Sequence, residues 1–205
     1  FSYVLPNHLT KIPVNIREEL FKPGGYMAQM LACHSYSILK INNWIFCHGG
    51  LLPSHIKKIC KCGYKFYNEK KKTCGRCGTV KDNMGNNGIK YINQLLRKIL
   101  LNKLKISDLT DDEHKIILGT DGLFWTRHYK FDPKKCNTLK NTLKIINNDK
   151  EKGGLIVGHT PHSNVTAESN NKLFFVDIGL SRAFPDDEFN QLEALLIEKN
   201  KQPVI

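Results

Sequence analysis

The sequence predicts an α/β (α+β) fold, and two observations lead to this prediction. A short apolar run at 44–47 (WIFC) ends in a histidine and two glycines, and a second run at 155–157 (LIV) ends in Gly158 and His159. Runs of this length and composition are typical of buried strands. Between them, apolar residues recur every three or four positions, which is the spacing of helices that bury one face.

The part of the chain before His48 is predicted to contain two helices and a hairpin. In order, these are an extended segment at 1–4, helices at 15–22 and 26–32, and strands at 36–40 and 44–47. Asn15 is a favourable N-cap for the first helix, and Pro23 ends it because proline disfavours helical backbone before it. Asn42 and Asn43 are typical turn residues, so the two strands form a hairpin.

The rest of the chain is predicted to alternate between helices, loops and strands. In order, these are an amphipathic helix at 89–104, a short helix that starts near Thr110, a loop at 119–127, a helix at 136–148, and strands at 155–157 and 172–176. A last hairpin joins 192–198 to 203–205, although its first arm could equally be helical. Thr110 and Glu113 have the spacing of a capping box.

Length and composition favour one soluble domain. The chain has 205 residues, which suits a single domain that contains a small insertion. No apolar run approaches the roughly 18 residues that span a membrane, so we expect no membrane partner. The sequence begins at Phe1 and shows no secretion signal, so we expect a longer parent protein and an intracellular, cytoplasmic location.

Positive charge is concentrated in one segment. The formal net charge is +12, and residues 57–81 contain nine basic residues and one acidic residue, a net +8. Any nucleic acid or other polyanion partner is therefore expected to bind only through this segment. Lysine outnumbers arginine 26 to 5, which also fits a gene rich in A and T.

The same basic segment contains four clustered cysteines. Cys60 and Cys62 are separated by one residue, and Cys74 and Cys77 by two. Two thiolate pairs at the ends of a short loop are typical of a structural zinc site. We therefore predict an inserted zinc ribbon over 57–81 that binds one zinc ion. Because the first pair is unusually tight, His55 could replace Cys60.

Two strands that each end in a histidine suggest that His48 and His159 converge on one metal ion. The flanking residues make the hypothesis more specific. His48 is followed by Gly-Gly-Leu-Leu-Pro, His159 lies in Gly-His-Thr-Pro, and Trp125-Thr126-Arg127 lies between them. These motifs resemble calcineurin-like metallophosphoesterases, and most of all the Shewanella-like protein phosphatases of bacteria, plants and protists.

Two further motifs carry the same resemblance. Pro23-Gly24-Gly25 precedes a helix, and the chain reads Val-Asp-Ile-Gly-Leu-Ser over 176–181. The resemblance covers nearly all of 1–205 except roughly 57–85. It implies the C-terminal half of a metallophosphoesterase β-sandwich flanked by helices, with the zinc ribbon as an addition to the family pattern.

The resemblance also implies a chemistry. In such enzymes two divalent ions of the manganese, iron or zinc type activate a hydroxide that attacks phosphorus in line. It implies a hydrolase that acts on a phosphorylated protein, as serine/threonine protein phosphatases do, or on another phosphoester. It assigns His48 and His159 to the second metal ion.

Three family motifs have no counterpart in the sequence. They are Gly-Asp-x-His-Gly, Gly-Asp-x-x-Asp-Arg-Gly and Gly-Asn-His-Glu, which in the family supply the first metal's ligands, the bridging aspartate and an asparagine ligand. We therefore expect the chain to hold part of a binuclear site and to be inactive alone. The alternative is a degenerate phosphatase-like scaffold whose basic zinc ribbon binds nucleic acid or an acidic partner.

Three other residues are weaker candidates. Arg127 could contact a phosphate through its planar guanidinium, but a surface salt bridge is an equal alternative. Asp177 could orient His159 from the second coordination shell, or it could simply cap its own loop. His162 does not complete the Gly-His-x-His spacing of other metallophosphoesterases, so we do not assign it a role.

Overall fold

The computed structural model describes residues 14–56, 85–147, 153–180, 192–198, 201 and 203–205. The predicted extended segment at 1–4 and the whole cysteine-rich insertion at 57–81 lie outside these residues. The helices are α1 (Val14–Phe21), α2 (Tyr26–His34), α3 (Pro53–Ile56), α4 (Gly85–Leu100), α5 (Asp111–Leu118), α6 (His128–Phe131) and α7 (Lys135–Asn147). The strands are β1 (Ile38–Ile41), β2 (Trp44–Cys47), β3 (Gly154–Val157), β4 (Thr166–Glu168) and β5 (Leu173–Phe175).

The described strands form one mixed sheet in the order β1-β2-β3-β5-β4. β1 and β2 form the predicted antiparallel hairpin, and its turn residue Asn42 has a left-handed φ of 54°. β2, β3 and β5 are parallel neighbours, and β4 adds an antiparallel edge. The α/β prediction is therefore confirmed as a mixed α/β fold with a five-stranded sheet.

Helices cover one face of the sheet. On this face, Ile45 lies beside Leu155 and Leu155 beside Leu173, and all three are 0% exposed. They form one core with buried residues of α4, α5 and α7. The helices bury this face because their apolar residues recur at helical spacing; in α4 these residues are Ile89, Ile92, Leu95 and Ile99.

The opposite face of the sheet is also apolar. Phe46, Ile156 and Phe174 are neighbours across β2, β3 and β5, and the Trp44 ring lies 5.8 Å from the Phe174 ring. Near the sheet edge, Ile41 is 51% exposed. The sheet therefore has apolar side chains on both faces, as a sheet buried on both sides does.

Helix α4 ends at Leu100, four residues before the predicted end at 104. Asn102 takes a left-handed φ of 56°, and its N–H donates to the Ile99 carbonyl at 2.9 Å. The Lys103 N–H donates to the Lys98 carbonyl at 2.8 Å. This pair of bonds is the Schellman motif, which satisfies the last carbonyls of a helix and stops it.

Several short elements and element ends could not be predicted from the periodicity of apolar residues in the sequence. The chain forms α3, α6 and β4, which are too short for a periodic signal. α1 already includes Val14, so Asn15 lies inside the helix and is not its N-cap. The last hairpin is reduced to an antiparallel bridge between Leu196 and Val204, and its first arm is not helical.

Among the described residues, no helix has the length and apolar character that crossing a membrane requires.

Candidate functional site

His48 follows the last residue of β2, and the loop after it is tightly fixed. The amides of Gly49 and Gly50 both donate to the Leu123 carbonyl, at 3.0 and 3.2 Å. A Cβ atom on Gly49 would lie 2.9 Å from the carbonyl carbon of Phe124, so the backbones can approach this closely only at glycine. The exposed His48 side chain is therefore presented from a rigid base.

The next residue of this loop is anchored by two buried hydroxyl groups. The Leu51 carbonyl accepts hydrogen bonds from Tyr129 at 2.6 Å and from Thr142 at 3.2 Å. Tyr129 is 1% exposed and Thr142 is 0% exposed. Because a buried carbonyl needs a partner, these contacts tie the loop to α6 and α7.

His55 fastens the same loop to the segment before Phe124. Its Nδ1 accepts from the Leu52 N–H at 3.2 Å, and its Nε2 donates to the Asp121 carbonyl at 2.8 Å. Burial lowers the pKa of His55, and the hydrogen bond to Asp121 opposes that change only in part. The suggestion that His55 could replace Cys60 at a zinc ion is therefore wrong, because both ring nitrogens are used inside the fold.

His159 lies in a tight turn directly beyond β3. Val157 pairs with Cys47, so the residues that follow β2 and β3 meet, and the Gly158 N–H donates to the His48 carbonyl at 2.8 Å. His159 has a left-handed φ of 65°, and the Thr160 N–H donates back to the Gly158 carbonyl at 2.7 Å. This three-residue turn aims the His159 ring at the His48 ring.

The two imidazoles form a close pair. Their ring centroids are 5.0 Å apart with an interplanar angle of 56°. The Trp125 ring meets His159 edge-on at 5.8 Å. Nε2 of His159 is buried and has no hydrogen-bond partner. A buried polar atom without a partner is unusual in a folded protein, and this nitrogen is available to a ligand.

The surroundings of His159 favour its neutral form. Its pKa is lowered first by burial, and then by the positive charges of Arg127 and His48. A hydrogen bond to the Trp125 backbone and the negative charge of Asp177 oppose this effect. A neutral imidazole has a free lone pair, which is the form that binds metal ions.

Arg127 and Asp177 lie near enough to His159 for their charges to influence its pKa. Arg127 is exposed, and its side chain forms neither an ion pair nor a hydrogen bond with any described residue. The carboxylate of Asp177 accepts from the Gly179 N–H at 3.2 Å, which is the loop-cap arrangement that the sequence left open. The orienting role of Asp177 toward His159 stays a prediction.

The described residues bring together two side chains of a type that binds metal ions, His48 and His159, rather than a complete ligand set. No group of three or more His, Cys, Asp or Glu side chains suited to a metal ion occurs within them. The predicted zinc ligands Cys60, Cys62, Cys74 and Cys77 lie outside the described residues. The described cysteines, Cys33, Cys47 and Cys136, are free thiols.

An apolar pocket of about 620 Å³ opens beside the imidazoles. Its walls come from α4, α5, the turn between them and the loop before α6, and its lining residues are Leu96, Ile99, Ile106, Ile117, Leu118, Phe124, Trp125, His48 and His159. Trp125 is 58% exposed, which is unusual for so large an apolar side chain.

Several residues that shape the site carry no sequence signal. Tyr129 and Thr142 contact the His48 loop from 78 and 91 positions away. His162, which the sequence left without a role, is hydrogen bonded to Lys130 and to Thr160. These partners are distant along the chain, or do not match a ligand spacing, so only the folded structure identifies them.

Comparison with known proteins gives two similarities. The chain is 30% identical over 189 residues to the "Uncharacterized protein R398" of Acanthamoeba polyphaga mimivirus, a match that covers 82% of this chain and 65% of that protein. Among solved structures, a cold-active protein tyrosine phosphatase matches with a TM-score of 0.48 and 20% identity, over 83% of this chain and 40% of that one. The chain thus spans less than two thirds of each protein's length. No family model matches the chain.

Proposed function

We propose that this chain is part of a metal-dependent phosphoester hydrolase, a protein phosphatase of the serine/threonine type with a binuclear metal site. In this proposal His48 and His159 bind one of the two divalent ions. The observation that carries it is the convergence of their rings at 5.0 Å, with Nε2 of His159 buried and unpartnered. A metal ion would satisfy that nitrogen.

The imidazoles of His48 and His159 supply part of the ligand set of one metal ion. Neutral imidazole suits manganese, iron and zinc, and the lowered pKa of His159 keeps its ring in that form. Two imidazoles cannot offset the charge of two divalent ions, so the proposal takes the carboxylate ligands from outside the described residues. When bound, such ions act as Lewis acids that stabilise charge on phosphoryl oxygens.

The other side chains at the site have roles that suit a phosphoester. The proposal places the phosphoryl group beside Arg127, whose guanidinium is a planar donor matched to phosphate oxygens. The apolar pocket next to the imidazoles would take the rest of the substrate, packed against Phe124 and Trp125. The exposed Trp125 ring is then covered when substrate binds.

The second apolar face of the sheet supports the proposed β-sandwich. Phe46, Ile156 and Phe174 form a continuous apolar surface opposite the helices. In a sandwich, two sheets pack through such faces about 10 Å apart. The proposal is therefore that a second sheet of the full-length protein packs on this face.

Replacing each imidazole tests the metal assignment. In the full-length protein, His48→Ala and His159→Ala should each lower the metal bound at the binuclear site from about two equivalents to about one, leave the proposed structural zinc bound and leave the fold intact, because each ring supplies a ligand that water replaces poorly. Metal content measured by mass spectrometry, with circular dichroism as the test of folding, gives the answer. The control is His114→Ala, which removes an exposed histidine on α5. Normal metal content and turnover in either site variant would refute the assignment.

The second candidate function is a degenerate phosphatase-like scaffold. It is favoured by the net +8 over 57–81, which would bind nucleic acid or an acidic partner through the proposed zinc ribbon. The same metal analysis separates the two functions. A full-length protein that binds no ion at His48 and His159 but retains RNA at moderate salt would be the scaffold.

A further inference from the structure

A chain of hydrogen bonds joins α6 to the turn that carries His159. Lys130 Nζ donates to His162 Nε2 at 2.7 Å, and His162 Nδ1 donates to the Thr160 carbonyl at 2.7 Å. An ammonium group can only donate, so His162 Nε2 must accept, and the ring proton lies on Nδ1. Lys130 therefore fixes the tautomer with which His162 holds Thr160.

The turn is of a kind that needs such support. His159 has φ of 65°, and the Thr160 N–H closes a three-residue turn on the Gly158 carbonyl. A turn of this type with positive φ is rare and strained. A residue other than glycine persists in such a conformation only where neighbouring contacts determine it. The hydrogen bond from His162 fixes the Thr160 peptide, which is the exit of the turn.

His162 is itself built into the end of the sheet. Its N–H donates to the Asp177 carbonyl at 2.9 Å. Its ring lies 4.6 Å from the Phe175 ring with an interplanar angle of 31°, and Phe175 is 1% exposed. The Lys130 ammonium lies 6.0 Å from the centre of the same ring. The imidazole therefore cannot turn away from Thr160 without disturbing the core.

The partner of Lys130 is unusual. Within the described part of the chain, its ammonium group contacts an imidazole and an aromatic ring, and not a carboxylate. A half-buried lysine is usually paired with an acid. This contact is thus not a salt bridge that holds two elements together, and its direct effect is to orient His162.

We propose that His162 and Lys130 are positioning residues for His159. They hold the left-handed turn so that Nε2 of His159 points beside His48 at the metal site. The inference rests on the proposed function for its metal, while the geometry of the turn can be tested without any metal. Neither residue contacts the reacting groups.

The first test uses the metal-free chain with ¹⁵N-labelled histidine. The nuclear magnetic resonance spectra of the wild-type chain should show that His162 is protonated on Nδ1. They should also show nuclear Overhauser contacts between ring protons of His48 and His159, which are the ring contacts followed below. His162→Ala and Lys130→Met should weaken or remove the ring contacts. His162→Asn should retain them, because the asparagine amide can donate to Thr160 from nearly the position of Nδ1. Lys134→Met is the matched control, since it removes an exposed lysine from the same region.

The second test first saturates the proposed zinc ribbon of the same variants with one equivalent of zinc, then titrates them with cobalt(II) and follows its absorption spectrum. Loss of a group that orients a metal ligand usually weakens metal affinity by about 10- to 100-fold. We expect this loss for His162→Ala and Lys130→Met, and near-normal affinity for His162→Asn and Lys134→Met. Circular dichroism identifies any variant that has lost its fold. If His162→Ala is unfolded, the comparison of His162→Asn with Lys130→Met decides whether the positioning role is correct.

The two tests fail in different ways. If the ring contacts respond as expected but the wild-type chain and the full-length protein, with zinc in the proposed ribbon, bind no cobalt at His48 and His159, the positioning role stands and the proposed metal function falls. If His162→Ala and Lys130→Met both leave the ring contacts unchanged, the positioning proposal is overturned. It is also overturned if Lys134→Met has the same effect as Lys130→Met.

Discussion

At the scale of single residues, two histidines near the site, His55 and His159, are used in opposite ways. His55 is buried with both ring nitrogens hydrogen bonded, whereas His159 is partly buried with Nε2 unpartnered. A histidine of the first kind contributes to folding, and one of the second kind is available to a ligand. The sequence suggested a metal for both, His159 through its motif and His55 as an alternative to Cys60, and the contacts in the folded chain separate them.

His55 should make folding stability depend on pH. Its pKa in the folded chain is lowered by burial from an ordinary value of 6.5, so the unfolded chain binds more protons between the two values. Stability is therefore full above pH 6.5 and falls as the pH drops through the folded pKa. Urea unfolding at pH 7.5 and at mildly acidic pH measures this slope.

The matched variant is His55→Ala. It should remove the pH dependence that His55 contributes and should cost about 1–3 kcal/mol at neutral pH, because the Leu52 N–H loses its partner in the interior. His114→Ala, at an exposed position, should change neither stability nor slope measurably. A pH slope that survives in His55→Ala would show that another group titrates.

At the scale of elements, helix ends decide the shape of the pocket. The Schellman motif at Asn102 stops α4 and lets the chain turn toward α5, and both helices line the pocket. α5 then begins with a full capping box: the Glu113 N–H donates to the Thr110 hydroxyl and the Thr110 N–H donates to the Glu113 carboxylate at 2.8 Å. Glu113 also accepts a hydrogen bond from Tyr91 of α4.

Loss of this cap should loosen the pocket wall. Thr110→Ala removes the acceptor for the Glu113 N–H and should cost about 1 kcal/mol of unfolding free energy. Hydrogen exchange should rise first in α5, whose Ile117 and Leu118 line the pocket. The control is Thr120→Ala, at an exposed loop threonine. Equal stability of the two variants would show that the capping box contributes little.

At the scale of the whole molecule, the proposed zinc ribbon over 57–81 is an additional structural unit, and its zinc content tests it directly. Residues 57–81 are basic and poor in apolar side chains, so we expect them to need a metal to hold one shape. The full chain should retain about one equivalent of zinc, bound by Cys60, Cys62, Cys74 and Cys77. Cys74→Ser should release it without unfolding the sheet, whereas Cys136→Ser, at an exposed thiol, should not.

Mass spectrometry under native conditions counts the zinc in each variant. Purified wild-type chain with no zinc after expression in zinc-supplemented medium would contradict the ribbon. Equal release of zinc by Cys74→Ser and Cys136→Ser would contradict the choice of ligands.

The chain by itself should not act as an enzyme. The described residues supply two imidazoles, and a binuclear site also needs carboxylates to offset two divalent charges. We therefore expect no manganese-dependent hydrolysis of p-nitrophenyl phosphate above the buffer rate by the 205-residue chain. The full-length protein, assayed in parallel, is the positive control. Enzymatic turnover by the chain alone would mean that its own residues complete the site.

The sequence by itself determined the elements that repeat a local pattern. The strands of His48 and His159, the helices α4 and α7, and the capped start of α5 all follow from apolar spacing or from a cap. These signals are local, because a strand or helix buries side chains that lie two, three or four positions apart. Thus even the convergence of His48 and His159 was predicted from two similar strand ends.

Only the tertiary structure decided how those elements meet. The parallel register of β2 and β3 places His48 beside Gly158, and the strained turn then directs His159 toward it. The anchors of the His48 loop come from residues 78 and 91 positions away, and the role of His162 depends on a lysine of α6. Such contacts depend on packing between distant segments, which leaves no period in the sequence. That is why two histidines could be found from their motifs, while the side chains that hold them could not.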